Sequence, residues 1–161
     1  MMKKLCILLV FVLLLAGCQA APTFETVDDV YAPQPQSAPR EIALALPEDV
    51  QTIAGSSGKL YLCDGFDVTV ETVAAGDLNK TLQMLTGFAP DALTMLQTAV
   101  SGMQRYECAW TAAGENGDTV GRAVVLDDGR YHYCVTVMGQ ADMAGELSAD
   151  WQELLNSVYL N

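Results

Sequence analysis

Lys59-Leu60-Tyr61-Leu62-Cys63, Asp64-Gly65, Phe66-Asp67-Val68-Thr69-Val70-Glu71-Thr72 decides the fold. Two runs with strand periodicity flank an Asp-Gly pair, the pattern of a tight β-hairpin with both turn residues at positive φ. On the second run Phe66, Val68 and Val70 share one face, while Asp67, Thr69 and Glu71 share the other. Such alternation predicts a sheet with one buried face and one wet or half-covered face. Upstream, Ile42, Leu44 and Leu46 alternate with smaller or polar residues and predict a short strand stopped by Pro47. Downstream, Asp77 is placed to cap a helix that carries Leu78, Leu82 and Leu85 on one stripe and stops at Gly87. One helical turn at Pro90-Asp91-Ala92 is expected next, followed by a strand toward which Thr94, Thr98 and Val100 lean.

A meander comes next. Tyr106, Cys108, Trp110 and Ala112 alternate with Arg105, Glu107, Ala109 and Thr111. Residues 119–126 and 131–138 give two more strands, separated by the Asp127-Asp128-Gly129-Arg130 turn. The chain closes on an amphipathic helix. Ser148 is the expected cap, and Trp151, Leu154, Leu155, Val158 and Tyr159 form its stripe. Two helices and about six strands predict an α+β domain, a twisted antiparallel sheet with helices laid on it.

The N-terminal residues have a different character. Lys3 and Lys4 precede the uncharged run Leu5–Ala16, and Leu15-Ala16-Gly17-Cys18 ends it. The stretch resembles a bacterial lipoprotein signal peptide with a lipobox. That resemblance implies cleavage before Cys18 and acylation of its sulfur, hence a cell-membrane anchor facing outside the cytoplasm. The run is too short for a membrane-spanning helix, which needs ~20 apolar residues. Stable anchoring takes two acyl chains, and a lipidated Cys18 supplies at least two. The organisation expected is signal peptide 1–17, lipidated cysteine and proline-rich tether 18–40, and a single α+β domain 41–161. Pro22, Pro33, Pro35 and Pro39 punctuate the tether and favour extended backbone.

Without the signal, 6 Lys+Arg face 20 Asp+Glu, a formal charge of −14. Nucleic-acid binding depends on cations that displace counterions from phosphates, so that partner class is excluded. Cys63, Cys108 and Cys134 remain in the domain. One disulfide with one free thiol, or three buried thiols, fits the count. The exported setting implied by the lipobox favours a disulfide, with Cys63–Cys108 as the preferred pair. Cys134 has the parity opposite to Tyr131, Tyr133 and Val135 and is expected on the other face.

The order of elements is similar to the PsbP/Mog1-like fold. Asp127-Asp128-Gly129-Arg130-Tyr131-His132-Tyr133 and the closing run from Ala149-Asp150-Trp151 to Leu154-Leu155-Asn156-Ser157-Val158 carry the likeness. It implies accessory or binding proteins rather than enzymes. His132 is the only histidine, so catalytic arrangements that need a second one are excluded. It is expected on the surface or half-covered. Asp127 and Asp128 read as turn residues rather than as acid–base or calcium ligands. The methionines at 84, 95, 103, 138 and 143 read chiefly as core filling. No metal or cofactor motif is present, and no catalytic residue is assigned.

The function expected is a membrane-anchored, non-enzymatic binding or accessory module of the cell envelope. Tyr61, Trp110, Tyr131 and Tyr133 are the aromatic candidates for a face that takes an envelope protein or a small ligand. A thiol-dependent enzyme and a purely structural spacer are the alternatives.

Overall fold

A computed structural model describes residues 37–161; the expected signal peptide, Cys18 and the expected tether up to residue 36 lie outside the described residues. The strands are β1 (Ile42–Ala43), β2 (Gln51–Ala54), β3 (Gly58–Leu62), β4 (Phe66–Ala74), β5 (Thr94–Val100), β6 (Met103–Ala112), β7 (Thr119–Asp127), β8 (Tyr131–Gln140) and β9 (Tyr159–Leu160). Helix α1 covers Leu78–Thr86 and α2 covers Ala144–Asn156; a single 3-10 turn occupies Pro90–Ala92.

Seven strands form one antiparallel sheet in the order β2-β3-β4-β8-β7-β6-β5, and β1 and β9 pair separately. The α+β class holds, with more strands than the six expected. The additions are short. β2 is a four-residue exposed edge, and β1 with β9 is a two-residue pair that joins residues far apart in sequence, Ile42 to Leu160.

Alternation sorts the sheet into two faces. Phe66, Val68, Val70, Val124, Leu126, Tyr133, Val135 and Val137 point to α2 and meet Trp151, Leu154, Leu155 and Val158. Cys108, Trp110, Ala123, Val125 and Cys134 point the other way and meet Leu82, with Leu78, Leu85, Phe88 and Leu93 around them. Burying a side chain of this size contributes roughly 1.5–3 kcal/mol, so these two layers dominate the stability.

Helix α1 begins and ends where its sequence directs. The Asp77 carboxylate accepts from the Asn79 N–H at 3.0 Å, and Gly87 closes the helix at φ 77°. Helix α2 differs from expectation. It starts at Ala144, a turn before Ser148, and its N-cap Met143 makes no side-chain capping bond. Ser148 is thus helical, and its hydroxyl accepts from Arg122 instead.

The turns also differ. At Asp64-Gly65 only Gly65 has positive φ, whereas Ser101 and Gly102, between β5 and β6, are both positive at 52° and 80°. The two-residue turn with paired positive φ therefore lies there. Residues 37–40, assigned to the tether by sequence, are held to the domain. The Tyr131 hydroxyl donates to the Ser37 carbonyl at 3.1 Å, and the Arg40 N–H donates to the Tyr133 hydroxyl at 3.2 Å.

Candidate functional site

The sheet is wider than its cover. Seven strands at ~4.8 Å spacing span about 29 Å between the outermost two, while a helix with its side chains is about 10–12 Å across. Helix α2 lies over β7 and β8. The segment from Ile42 to Leu46 packs against the same core. On that face β2 and the β6–β5 side remain uncovered, and along the latter an open cleft of about 500 Å³ follows α2.

Each element supplies part of its lining. Glu107 and Ala109 of β6 and Arg122 of β7 lie on the floor, with Thr94 and Leu96 of β5 on the outer rim. Gln152, Leu155 and Asn156 of α2 form the wall. Polar side chains thus sit among apolar surface in the lining.

A buried cation bonds two of the residues that line the cleft, Glu107 and Leu155. Arg105 is 6% exposed. Its Nε donates to Glu107 at 2.8 Å, and its terminal nitrogen donates to the Leu155 carbonyl at 2.9 Å. The last carbonyls of a helix carry the negative end of its dipole, so Arg105 clamps the end of α2 to β6. Glu107 is 36% exposed, which weakens the ion pair through solvent screening; the carbonyl bond is the positioning contact. Arg122 donates to the Ser148 hydroxyl at 3.1 Å and ties the front of the same helix to β7.

The aromatic residues expected to form a ligand face do not come together. Trp110 is buried on the α1 side of the sheet, whereas Tyr61, Tyr131 and Tyr133 belong to the α2 side. The reason is parity, since strand side chains alternate between faces. Tyr133 is fully buried. Its hydroxyl donates to the Asp128 carboxylate at 3.0 Å, and Tyr131 packs against it with ring centroids 6.1 Å apart. These two rings organise the turn and residues 37–40. Tyr61 lines only a small concavity of about 160 Å³ with Arg40, Lys59 and Glu71.

The preferred disulfide is also absent. Cys63, Cys108 and Cys134 are all free thiols. Cys63 packs with the α2-side core and Cys108 with the α1-side core, so the sheet separates them. Cys134 points to the α1 side, as its parity predicts. Burial pushes the Cys108 thiol up to about 11, against a smaller opposing effect from a backbone bond with Ala123. Burial, then the charge of Glu71, pushes Cys134 up to about 12. Cys63 is raised too, by burial and then by Asp67. A thiol that stays protonated at neutral pH is a poor nucleophile.

His132 is enclosed rather than surface-lying, 1% exposed. Helix α1 covers it. The Thr81 hydroxyl hydrogen-bonds its Nδ1 at 2.8 Å, and its Nε2 stands 3.8 Å from the Asp127 carboxylate. Hydroxyl, imidazole and carboxylate stand in a row, with Thr81 and the imidazole both buried. The row fastens α1 to β8. Sequence showed the parity of His132 but not which helix covers that face.

Asp127 and Asp128 serve the turn. Asp127 accepts from the Gly129 N–H, and Asp128 accepts from the N–H groups of Arg130 and Tyr131. The methionines depart from the core assignment: Met84, Met95, Met138 and Met143 are exposed. Among the described residues, no three His, Cys, Asp or Glu side chains gather in a way that would hold a metal ion. No helix among them is long and apolar enough to cross a membrane.

No family model matches this sequence, and no curated protein matches it. Solved structures do. The solution structure of cyanobacterial PsbP (CyanoP) from Synechocystis sp. PCC 6803 aligns with a TM-score of 0.56 at 8% identity, over 82% of this chain and 99% of that one. A protein from Bacteroides thetaiotaomicron VPI-5482 aligns with a TM-score of 0.51 at 10% identity, over 74% of this chain but only 45% of that one. LpqN, involved in cell envelope biogenesis of Mycobacterium tuberculosis, aligns with a TM-score of 0.48 at 13% identity, over 78% of this chain and 87% of that one. What the chain shares with the cyanobacterial protein is its fold: a PsbP-like antiparallel sheet flanked by helices.

Proposed function

We propose that this chain is an extracytoplasmic accessory module, anchored through lipid on Cys18, that holds a small amphiphilic ligand in the α2/β6 cleft and performs no covalent chemistry on it. The single observation that carries the reading is the cleft itself. Its volume, about 500 Å³, falls within the range of small-molecule sites, about 300–1,000 Å³. Its lining mixes Leu96, Ala109 and Leu155 with Arg122, Gln152 and Asn156. The raised thiols and the enclosed His132 favour binding over a thiol-dependent enzyme. A spacer has no use for a concave, mixed surface beside its longest helix.

The binding half is tested with 8-anilinonaphthalene-1-sulfonate, whose rings and anionic group suit such a lining. Saturable fluorescence enhancement by the native protein is expected, and Ala109→Trp, which fills the cleft floor from an exposed position, should abolish it. Enhancement that survives Ala109→Trp, in a variant with unchanged near-UV circular dichroism, would sink the assignment. The anchor is tested separately. Alkyne-palmitate labelling and membrane fractionation should both be lost in Cys18→Ser, and an unacylated wild-type product rejects the anchor without touching the cleft.

A further inference from the structure

The two edges of the large sheet are unlike each other. β2 has only four residues and follows the acidic pair Glu48-Asp49. β5, Thr94-Met95-Leu96-Gln97-Thr98-Ala99-Val100, is seven residues long and exposed at every position. It has no charge, no proline and an unbroken register with β6. Leu96 is 57% exposed and Val100 44%. Natural edge strands are usually blunted by charge, proline or a bulge, because an open row of N–H and C=O groups recruits another strand. β5 carries none of these guards.

The turn tells which backbone groups are free. Ser101-Gly102 is a two-residue turn with both φ positive, and the pair that flanks such a turn, Val100 and Met103, is hydrogen-bonded. Bonding alternates along an antiparallel pair. Thr94, Leu96, Thr98 and Val100 therefore bond inward to β6, and the N–H and C=O groups of Met95, Gln97 and Ala99 point outward.

We infer that β5 is a self-association edge, whose occupant is the β5 strand of a second copy of this chain, paired antiparallel about a twofold axis at Gln97. In that register Gln97 meets Gln97 of the second copy, Met95 meets Ala99, Leu96 meets Thr98, and Thr94 meets Val100. Met95 and Leu96 each face a smaller residue, and no like charges oppose each other. The ends are complementary. Asp91 is exposed just before the strand, at the Thr94 end. Arg40 lies at the other end, where its guanidinium reaches the Met103 sulfur. Antiparallel pairing brings the Asp91 end of each copy to the Arg40 end of the other, an acid to a base, twice. The chain is otherwise strongly acidic, at −12 overall, so an uncharged strip with complementary ends is where two copies approach at least cost. The strands would run on as one sheet with both α2 helices on the same side. Thr94 and Leu96 also rim the cleft, so the association borders that site without resting on a ligand in it.

Seven residues a side make a small interface, so the dimer is weak, with a dissociation constant of roughly 10–100 μM. Sedimentation equilibrium of the full chain in density-matched detergent should show a reversible monomer–dimer equilibrium. Gln97→Pro removes an outward N–H that makes no bond within the monomer, a place where edge strands tolerate proline, and should weaken the dimer at least about tenfold. Asp91→Arg should weaken it by about threefold or more, and adding Arg40→Asp should restore it, because the swap recreates both acid–base contacts. Should Gln97→Pro disturb folding, Gln97→Cys keeps the test open, since mild oxidation should crosslink the chain at that position into a covalent dimer. A wild-type chain that stays monomeric at about 1 mM, roughly ten times the upper limit of that range, overturns the inference. So does a dimer that is indifferent to Gln97→Pro and fails to crosslink through Gln97→Cys.

Discussion

Under α2 the sheet presents Phe66, Val68, Val70, Val124, Leu126, Val135 and Val137, an apolar layer with the Tyr133 hydroxyl at its margin. Under α1 it presents a smaller set, Cys108, Trp110, Ala123, Val125 and Cys134, and shares that space with buried Thr81, Thr86, His132 and Thr136. Both faces use one packing device. Trp151 lies against Gly139 on the α2 side, and Trp110 lies over Gly121 on the α1 side; a Cβ at either glycine would collide with the ring. The difference is in what surrounds the ring. The α2 face gains stability from apolar area, and the α1 face adds polar bonds through Thr81, Thr86 and His132, while the buried Thr136 hydroxyl has no partner. One face is thus a binder of structure by mass, the other by fit.

That contrast is open to direct attack. Trp151→Ala removes the largest fully buried side chain and should cost about 3–5 kcal/mol, read as a large fall in the urea midpoint. Leu82→Ala, the equivalent cut in α1, should cost about 2–4 kcal/mol; a loss equal to that of Trp151→Ala would mean the two layers carry the fold equally. His132→Leu keeps the volume but strands the Thr81 hydroxyl, and should cost about 1–3 kcal/mol. Combining it with Thr81→Val should cost less than the two single changes added, because the second removes the group left without a partner. Strict additivity in that cycle would show that the pair does not interact.

The smallest effect concerns pH. Burial alone would raise the Asp128 carboxyl, but the N–H groups of Arg130 and Tyr131, the Tyr133 hydroxyl and the Arg130 charge outweigh it and hold the group below its usual 3.8. A carboxylate depressed in the folded state adds stability above its unfolded pKa, and that stability is lost as pH falls through the folded value. Asp128→Asn should therefore be slightly less stable than the parent at neutral pH, with the gap closing below about pH 4. A gap that stays constant from neutral pH down to acid would show that the carboxylate charge is not what the turn uses.

Much of this architecture was legible because it is local. Period-two alternation in Phe66-Val68-Val70 and in Tyr131-Tyr133-Val135 identified faces, and Asp77 with Gly87 marked a helix by its ends. The strand after Pro90-Asp91-Ala92 was signalled only by its β-branched residues Thr94, Thr98 and Val100. What escaped notice is non-local. Ile42 pairs with Leu160, and no window of sequence contains both. Helix α2 starts at Ala144 without a capping side chain, so Ser148 looked like a beginning and proved to be a partner for Arg122. The cleft depends on the ratio of sheet width to helix cover, which no residue spells. The burial of His132 follows from where α1 lands, and the separation of Cys63 from Cys108 from the faces that their strands present.

The β1–β9 pair has a mechanical consequence. Asn161 donates its N–H to the Glu41 carbonyl, and the Ala45 N–H is held by the Ser157 hydroxyl at 2.7 Å. Tension entering from the N-terminal side meets the Ser37 and Arg40 contacts with Tyr131, Tyr133 and Met103 first, and this seam next. If the seam yields, the tail of α2 is the next part to come loose, and with it the wall of the cleft.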